Sequence, residues 1–129
     1  MIGDHLMAYK IQLINDHNIV RVCHKGIVDS SEMNICKDTT ILHLKQLGWN
    51  RVLIDLADAE FQLGTLDIAI LYKGLDNLFS DGAFIAVLQP TKMVFDYGQY
   101  SKSIATEWSN TKVDIFDQEK LAVRWLTEQ

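Results

Sequence analysis

The chain is 129 residues long, 48% hydrophobic and 22% charged, with a formal net charge of −5. That length and balance suit one soluble domain over residues 1–129 with a core of its own, and 12 Lys and Arg scattered without a basic block argue against nucleic acid as partner. Cys23 and Cys36 offer neither a disulfide framework nor zinc spacing, and no apolar run reaches membrane-spanning length or forms a signal core, so a cytoplasmic protein without stable membrane insertion is expected.

In chain order, Ala8 to Ile14 alternates polar and apolar residues, which predicts a strand with one solvated face. Asn15-Asp16-His17-Asn18 is a turn cluster, and Ile19 to His24 resumes the alternation with Val20, Val22 and His24 on one face. Two such strands make an antiparallel hairpin, which Gly26 then releases. Asp29-Ser30-Ser31-Glu32 reads as a helix cap. Met33, Cys36, Thr40, Leu44 and Leu47 follow at helical spacing, and Gly48 supplies the left-handed stop.

Arg51-Val52-Leu53-Ile54-Asp55-Leu56 is apolar at successive positions, as a strand buried on both faces must be, and it predicts the central strand. Asp55 is the exception; a carboxylate there needs donors or water, which places it near the carboxyl edge of the sheet. Ala57 to Glu60 reads as an acidic loop, followed by a helix from about Thr65 to Phe79. Ala83 to Leu88 is a second fully apolar strand, closed by Pro90. Tyr97, Tyr100, Ile104 and Trp108 have helical spacing, Val113 to Phe116 makes a last strand, and Asp117 caps a final helix carrying Leu121, Ala122, Trp125 and Leu126. The order β-β-α-β-α-β-α-β-α defines an α/β fold with a five-stranded, mostly parallel sheet and an antiparallel first strand.

No phosphate loop, dinucleotide fingerprint, metal-spaced histidines or nucleophile elbow is present, so no cofactor, metal or catalytic residue is assigned. His24 and Asp55 at strand ends offer a conceivable acid–base pair; the plainer reading is a half-exposed histidine and a carboxylate bonded to loop amides. Thr65 at a helix start is either a cap or, since amides and the helix dipole favour an anion there, a hydroxyl that phosphate could switch. Tyr97, Tyr100 and Trp108 are either core or the lining of an apolar pocket.

The hairpin, the helix, then Val52-Leu53-Ile54-Asp55-Leu56 with an acidic stretch and a helix about ten residues on, resemble the STAS-like, or SpoIIAA-like, domains. The closing Val113-Asp114-Ile115-Phe116-Asp117 with Ala122 and Trp125-Leu126 is similar to the ending of short bacterial members. The resemblance implies strands and helices wound as a βα superhelix and a non-enzymatic, regulatory role through reversible protein binding. In the antagonists of anti-sigma factors, binding is switched by phosphorylation of a serine in an Asp-Ser-Ser-Gly type motif. Here Thr65 matches the hydroxyl, with Leu63 in place of the acidic residue and Leu66 in place of the last glycine. On that basis the expected binding residues are Asp55, Asp58, Glu60, Thr65 and Asp67, and the expected partner is a protein. A homo-oligomer and a small apolar ligand in a pocket of the CRAL-TRIO type are the alternatives.

Overall fold

The computed structural model describes residues 9–62, 82–89, 103 and 111–129, with the backbone alone for residues 28, 30, 33 and 60–62. Five strands form one sheet in sequence order: β1 Tyr9–Ile14, β2 Ile19–Asp29, β3 Arg51–Gln62, β4 Phe84–Leu88 and β5 Lys112–Phe116. β1 runs antiparallel to β2 and every other neighbouring pair is parallel. The helix expected between β3 and β4, and all but Ser103 of the one expected around Tyr97 to Trp108, lie outside the described residues.

Local chemistry accounts for the element ends. In the β1–β2 turn Asn18 takes φ 55°, a left-handed conformation that asparagine tolerates well. Helix α1 spans Ser30–Leu47, and its cap is Asp29, whose Oδ1 accepts from the Glu32 amide at 3.0 Å. Gly48 ends it at φ 69° and returns its N–H to the Leu44 carbonyl at 2.9 Å. The last helix, α2, spans Glu119–Thr127. Its cap position is Gln118, with no side-chain hydrogen bond, and not Asp117 as the sequence suggested.

Strand alternation builds two cores. Val20, Val22, Val52, Leu56, Ile85, Val87 and Val113 point to one face and pack with Cys36 and Leu44 of α1. Ile19, Leu53 and Ala86 point to the other and meet Ala122 and Leu126 of α2. Trp125 closes the second core edge-on to Phe84, ring centroids 6.5 Å apart, and tilted against Phe116 at 5.9 Å. The α1 stripe is buried at Cys36, Thr40 and Leu44, while Leu47, Ile35 and Leu42 are exposed.

Two expected boundaries move. β2 does not end at His24, nor β3 at Leu56: both continue, and Lys25–Asp29 pairs with Asp58–Gln62 beyond the reach of β4. The stretch read as an acidic loop, Ala57 to Glu60, is therefore strand. Gly26, at φ 73°, sits inside β2 opposite Ala59 and does not end it. Where the extension begins the register slips by one residue, so that Leu56 and Ala57 both lie opposite His24. Leu56 and Ala59, three residues apart, consequently share the α1-side core.

Candidate functional site

Register sets the polar side chains of β1, β2 and β3 in transverse rows on the face that carries α2. Gln12, Arg21 and Leu53 form one row, Lys10, Cys23 and Asp55 the next, and Lys25 lies opposite Asp58 beyond the slip. α2 packs chiefly over β3, β4 and β5, so the β1–β2 part of this face lies at its margin. There the surface sinks into an open depression of about 440 Å³, lined by residues that include Lys10, Arg21, Cys23, Lys25, Asp55 and Asp58. Its shape follows from side-chain length: Cys23 is small and half-buried, and longer polar side chains stand around it.

Arg21 organises the site. Its Nη2 donates to Asp55 Oδ2 at 2.5 Å, Nε to Glu119 Oε1 at 2.7 Å and Nη1 to Gln12 Oε1 at 3.1 Å. One guanidinium thus joins β1, β2, β3 and the first turn of α2, with the planar fork that suits arginine to several acceptors at once. Burial lowers the Arg21 pKa, but the Glu119 hydrogen bond and the charges of Glu119 and Asp55 outweigh it, so the value lies above the ordinary one. Asp55 is satisfied on both oxygens, since Oδ1 accepts from the Ala57 amide at 3.0 Å. Its position fits the expected one in part: it pairs with Leu88, the last residue of β4, and so lies level with the carboxyl ends of β4 and β5 while β3 runs on.

The opposite face holds a different group. His24 is buried, 2% exposed, between β2 and α1. Its Nε2 lies 3.7 Å from Cys36 Sγ, which in turn is 3.9 Å from Thr40 Oγ1, and the Tyr9 ring lies 6.1 Å away, centroid to centroid. Among the described residues Nδ1 has no hydrogen-bond partner. Burial pushes the His24 pKa down to about 4 and the Cys36 thiol up to about 12. A neutral imidazole beside a protonated thiol is the reverse of an activated Cys–His couple, whose thiolate needs a cationic, partly exposed setting.

His24 is thus neither half-exposed nor paired with Asp55. The two stand on opposite faces of the sheet, so they cannot act together on one proton. Of the five expected binding residues, the structure brings Asp55 and Asp58 into one depression. Glu60 lies in the β3 extension opposite Ile27, described by its backbone only. Thr65 and Asp67 lie outside the described residues, as do Tyr97, Tyr100 and Trp108. Arg21, Lys10 and Lys25 were not singled out from the sequence. The alternation itself held the signal for Arg21, a long cation on the strand face that turns away from Val20 and Val22. Glu119, 98 residues away, had none.

Among the described residues no group of three or more His, Cys, Asp or Glu could hold a metal ion, and no helix is long and apolar enough to cross a membrane. The depression is charged, which does not suit a lipid tail.

No protein-family model matches the chain, and no curated protein does. Solved structures do. The anti-sigma factor antagonist SpoIIAA in its unphosphorylated form superposes with a TM-score of 0.64 at 11% identity, over 92% of this chain and 97% of that one. An uncharacterized DUF3478-family protein with a SpoIIAA-like fold from Shewanella loihica PV-4 gives 0.60 at 16% identity, over 92% of each chain. The Bacillus cell fate determinant SpoIIAA in its phosphorylated form gives 0.56 at 11% identity, over 92% of this chain and 99% of that one. The chain has the SpoIIAA-like, STAS-type α/β fold.

Proposed function

We propose that residues 1–129 form a single non-enzymatic regulatory domain that binds a protein partner. The carrying observation is the likeness, over 92% of the chain, to a protein that antagonises an anti-sigma factor and has been seen with and without phosphate. The partner surface in this reading is formed by Asp55 and Asp58, by Glu60 on the β3 extension, and by Thr65 and Asp67 just beyond it. Support for a binding role over catalysis comes from the separation of His24 and Asp55 and from the inert state of Cys36. A cytoplasmic setting belongs to the same reading.

Thr65 is the discriminating position. As a helix cap alone, Thr65→Ala costs about 0.5–2 kcal/mol and Thr65→Asp almost nothing, since aspartate caps as well and its charge suits the helix dipole. As a switch, Thr65→Asp keeps the fold but loses the partner, because a negative charge meets a surface made for a neutral hydroxyl. The test is affinity capture from the source cells with the parent and both variants, identifying bound proteins and small molecules by mass spectrometry and measuring melting temperatures alongside. Partner capture that is lost in Thr65→Asp supports switching. Capture that persists leaves the cap. A co-purifying lipid with no protein partner would overturn the protein-binding reading.

A further inference from the structure

The depression around Cys23 is more than a solvated patch of sheet, and its hydrogen-bond accounting says what it would take. Asp55 spends both oxygens on Arg21 Nη2 and the Ala57 amide. Arg21 uses three of its five N–H donors, on Asp55, Glu119 and Gln12, and among the described residues the other two have no acceptor. Lys10 and Lys25 also line the depression, are exposed, and make no ion pair among the described residues. Against these donors stands Asp58, exposed, opposite Lys25. In a chain of net charge −5, the groups at this one place that lack a partner among the described residues are therefore mostly donors and mostly cationic.

We propose that this depression is a binding site for a small organic oxyanion, a carboxylate or phosphate, held by Lys10 and Lys25 above the Arg21 guanidinium. Cys23, small and half-buried, is among its lining residues and leaves room between the longer cations. The volume of about 440 Å³ falls in the range that accepts small molecules and exceeds what a lone inorganic anion requires. Arg21 is a positioning residue here: pinned by Asp55 and Glu119, it offers its remaining donors in a fixed plane. Asp58 sets the selectivity, since it repels an anion with charge all round and tolerates one whose neutral part lies on its side. The site shares Asp55 and Asp58 with the partner surface proposed above, but its test reads a small anion and not a protein, so either reading can fail without the other.

The test is an NMR titration of amide shifts at constant ionic strength. The probes are succinate and inorganic phosphate, with succinamide as the neutral counterpart of succinate. Succinate should give saturable shifts centred on Lys10, Cys23 and Lys25 and bind at least about tenfold tighter than succinamide, the factor that one charge-assisted hydrogen bond supplies. Lys10→Gln with Lys25→Gln should weaken succinate about tenfold or more on the same grounds. Cys23→Leu, which sets a bulkier apolar side chain among the cations, should weaken binding, whereas Cys23→Ser, equal in size, should keep it. Phosphate saturating at the same amides would assign the site to oxyanions in general, and silence to phosphate would restrict it to carboxylates; either supports the proposal. Shifts that fail to saturate, that centre elsewhere, that match for succinate and succinamide, or that survive the double lysine variant would overturn it. Should Cys23→Leu not fold, the lysine and serine variants decide the matter alone.

Discussion

His24 and Arg21 belong to the same strand, three residues apart, yet live under opposite rules. On the α1 side His24 lies buried beside Tyr9 and Cys36, and burial drives both titratable groups, His24 and Cys36, to their neutral forms. On the α2 side Arg21 keeps its charge, and it does so by collecting two carboxylates and an amide. The desolvation that governs both sites is settled in one by giving up the charge and in the other by pairing it. A side chain's neighbours, and not its residue type, decide which settlement is reached. The α1 face, where these groups are neutral, and the α2 face, where Arg21 stays charged, therefore offer different chemistry.

The sharpest way to test that contrast is thiol reactivity, because Cys36 and Cys23 sit one on each side. At a mildly alkaline pH, a thiol pushed up to about 12 holds roughly a thousandfold less thiolate than an ordinary one, and burial adds a steric block. Iodoacetamide should therefore label Cys23 in the native protein and Cys36 only after unfolding, as peptide mapping would show. Native labelling of both at like rates would remove the distinction between the faces.

Next in size are the stability effects. Leu53 is fully buried under α2, and Leu53→Ala should cost about 2–5 kcal/mol in chemical denaturation. An unchanged midpoint would mean that α2 does not rest on β3. His24 predicts a pH dependence of known sign. Unfolded, it takes a proton near pH 6.5; folded, only near 4, so between these values the unfolded state binds more protons and stability falls as the pH falls. The full loss is about 3 kcal/mol, absent above pH 6.5, and His24→Leu should flatten this part of the profile. A variant that loses as much stability as the parent between about pH 7 and about pH 4.5 would place that dependence on other groups.

The charged face should respond less. Arg21→Met keeps the packing of the stem but strands Asp55, and the cost should be about 1–3 kcal/mol, below the fully buried range because the paired side chains are 18% and 13% exposed. Asp55→Asn in the same protein should recover part of it, and a double-mutant cycle measures how much. Glu119, 48% exposed, contributes under about 1 kcal/mol by the same comparison.

These two faces were unequally legible in the sequence. Val52 to Leu56 announced a central strand because a continuous apolar run leaves few other options, and Asp29 and Gly48 marked the bounds of α1 through well-defined backbone chemistry. Val20, Val22 and His24 were rightly set on one face; what could not be read was that α1 would cover it so fully as to bury the imidazole. The β3 extension was hidden because Ala57 to Glu60 has a loop's composition, and its pairing with Lys25–Asp29 is a contact between segments some 30 residues apart in sequence. The Arg21 cluster was hidden for the same reason, more strongly: its members come from four elements, and only the folded register brings Gln12, Asp55 and Glu119 around one guanidinium.

The slip between β2 and β3 amounts to a single supernumerary residue. Counted by twos from Val52, the strand would send Asp58 inward and Ala59 outward; with Ala57 left out of the count, Val52, Ile54, Leu56 and Ala59 fall on one side and Leu53, Asp55 and Asp58 on the other, as found. A chain shorter by that one alanine would keep the sheet and both cores. What would change is the amide two residues after Asp55: that of Asp58 would take the place of Ala57's, in regular strand geometry and no longer set by the slip to reach Asp55 Oδ1. The insertion is thus neutral for the architecture and consequential for one carboxylate, which makes position 57 the place where a change in chain length would alter the chemistry of this protein without altering its shape.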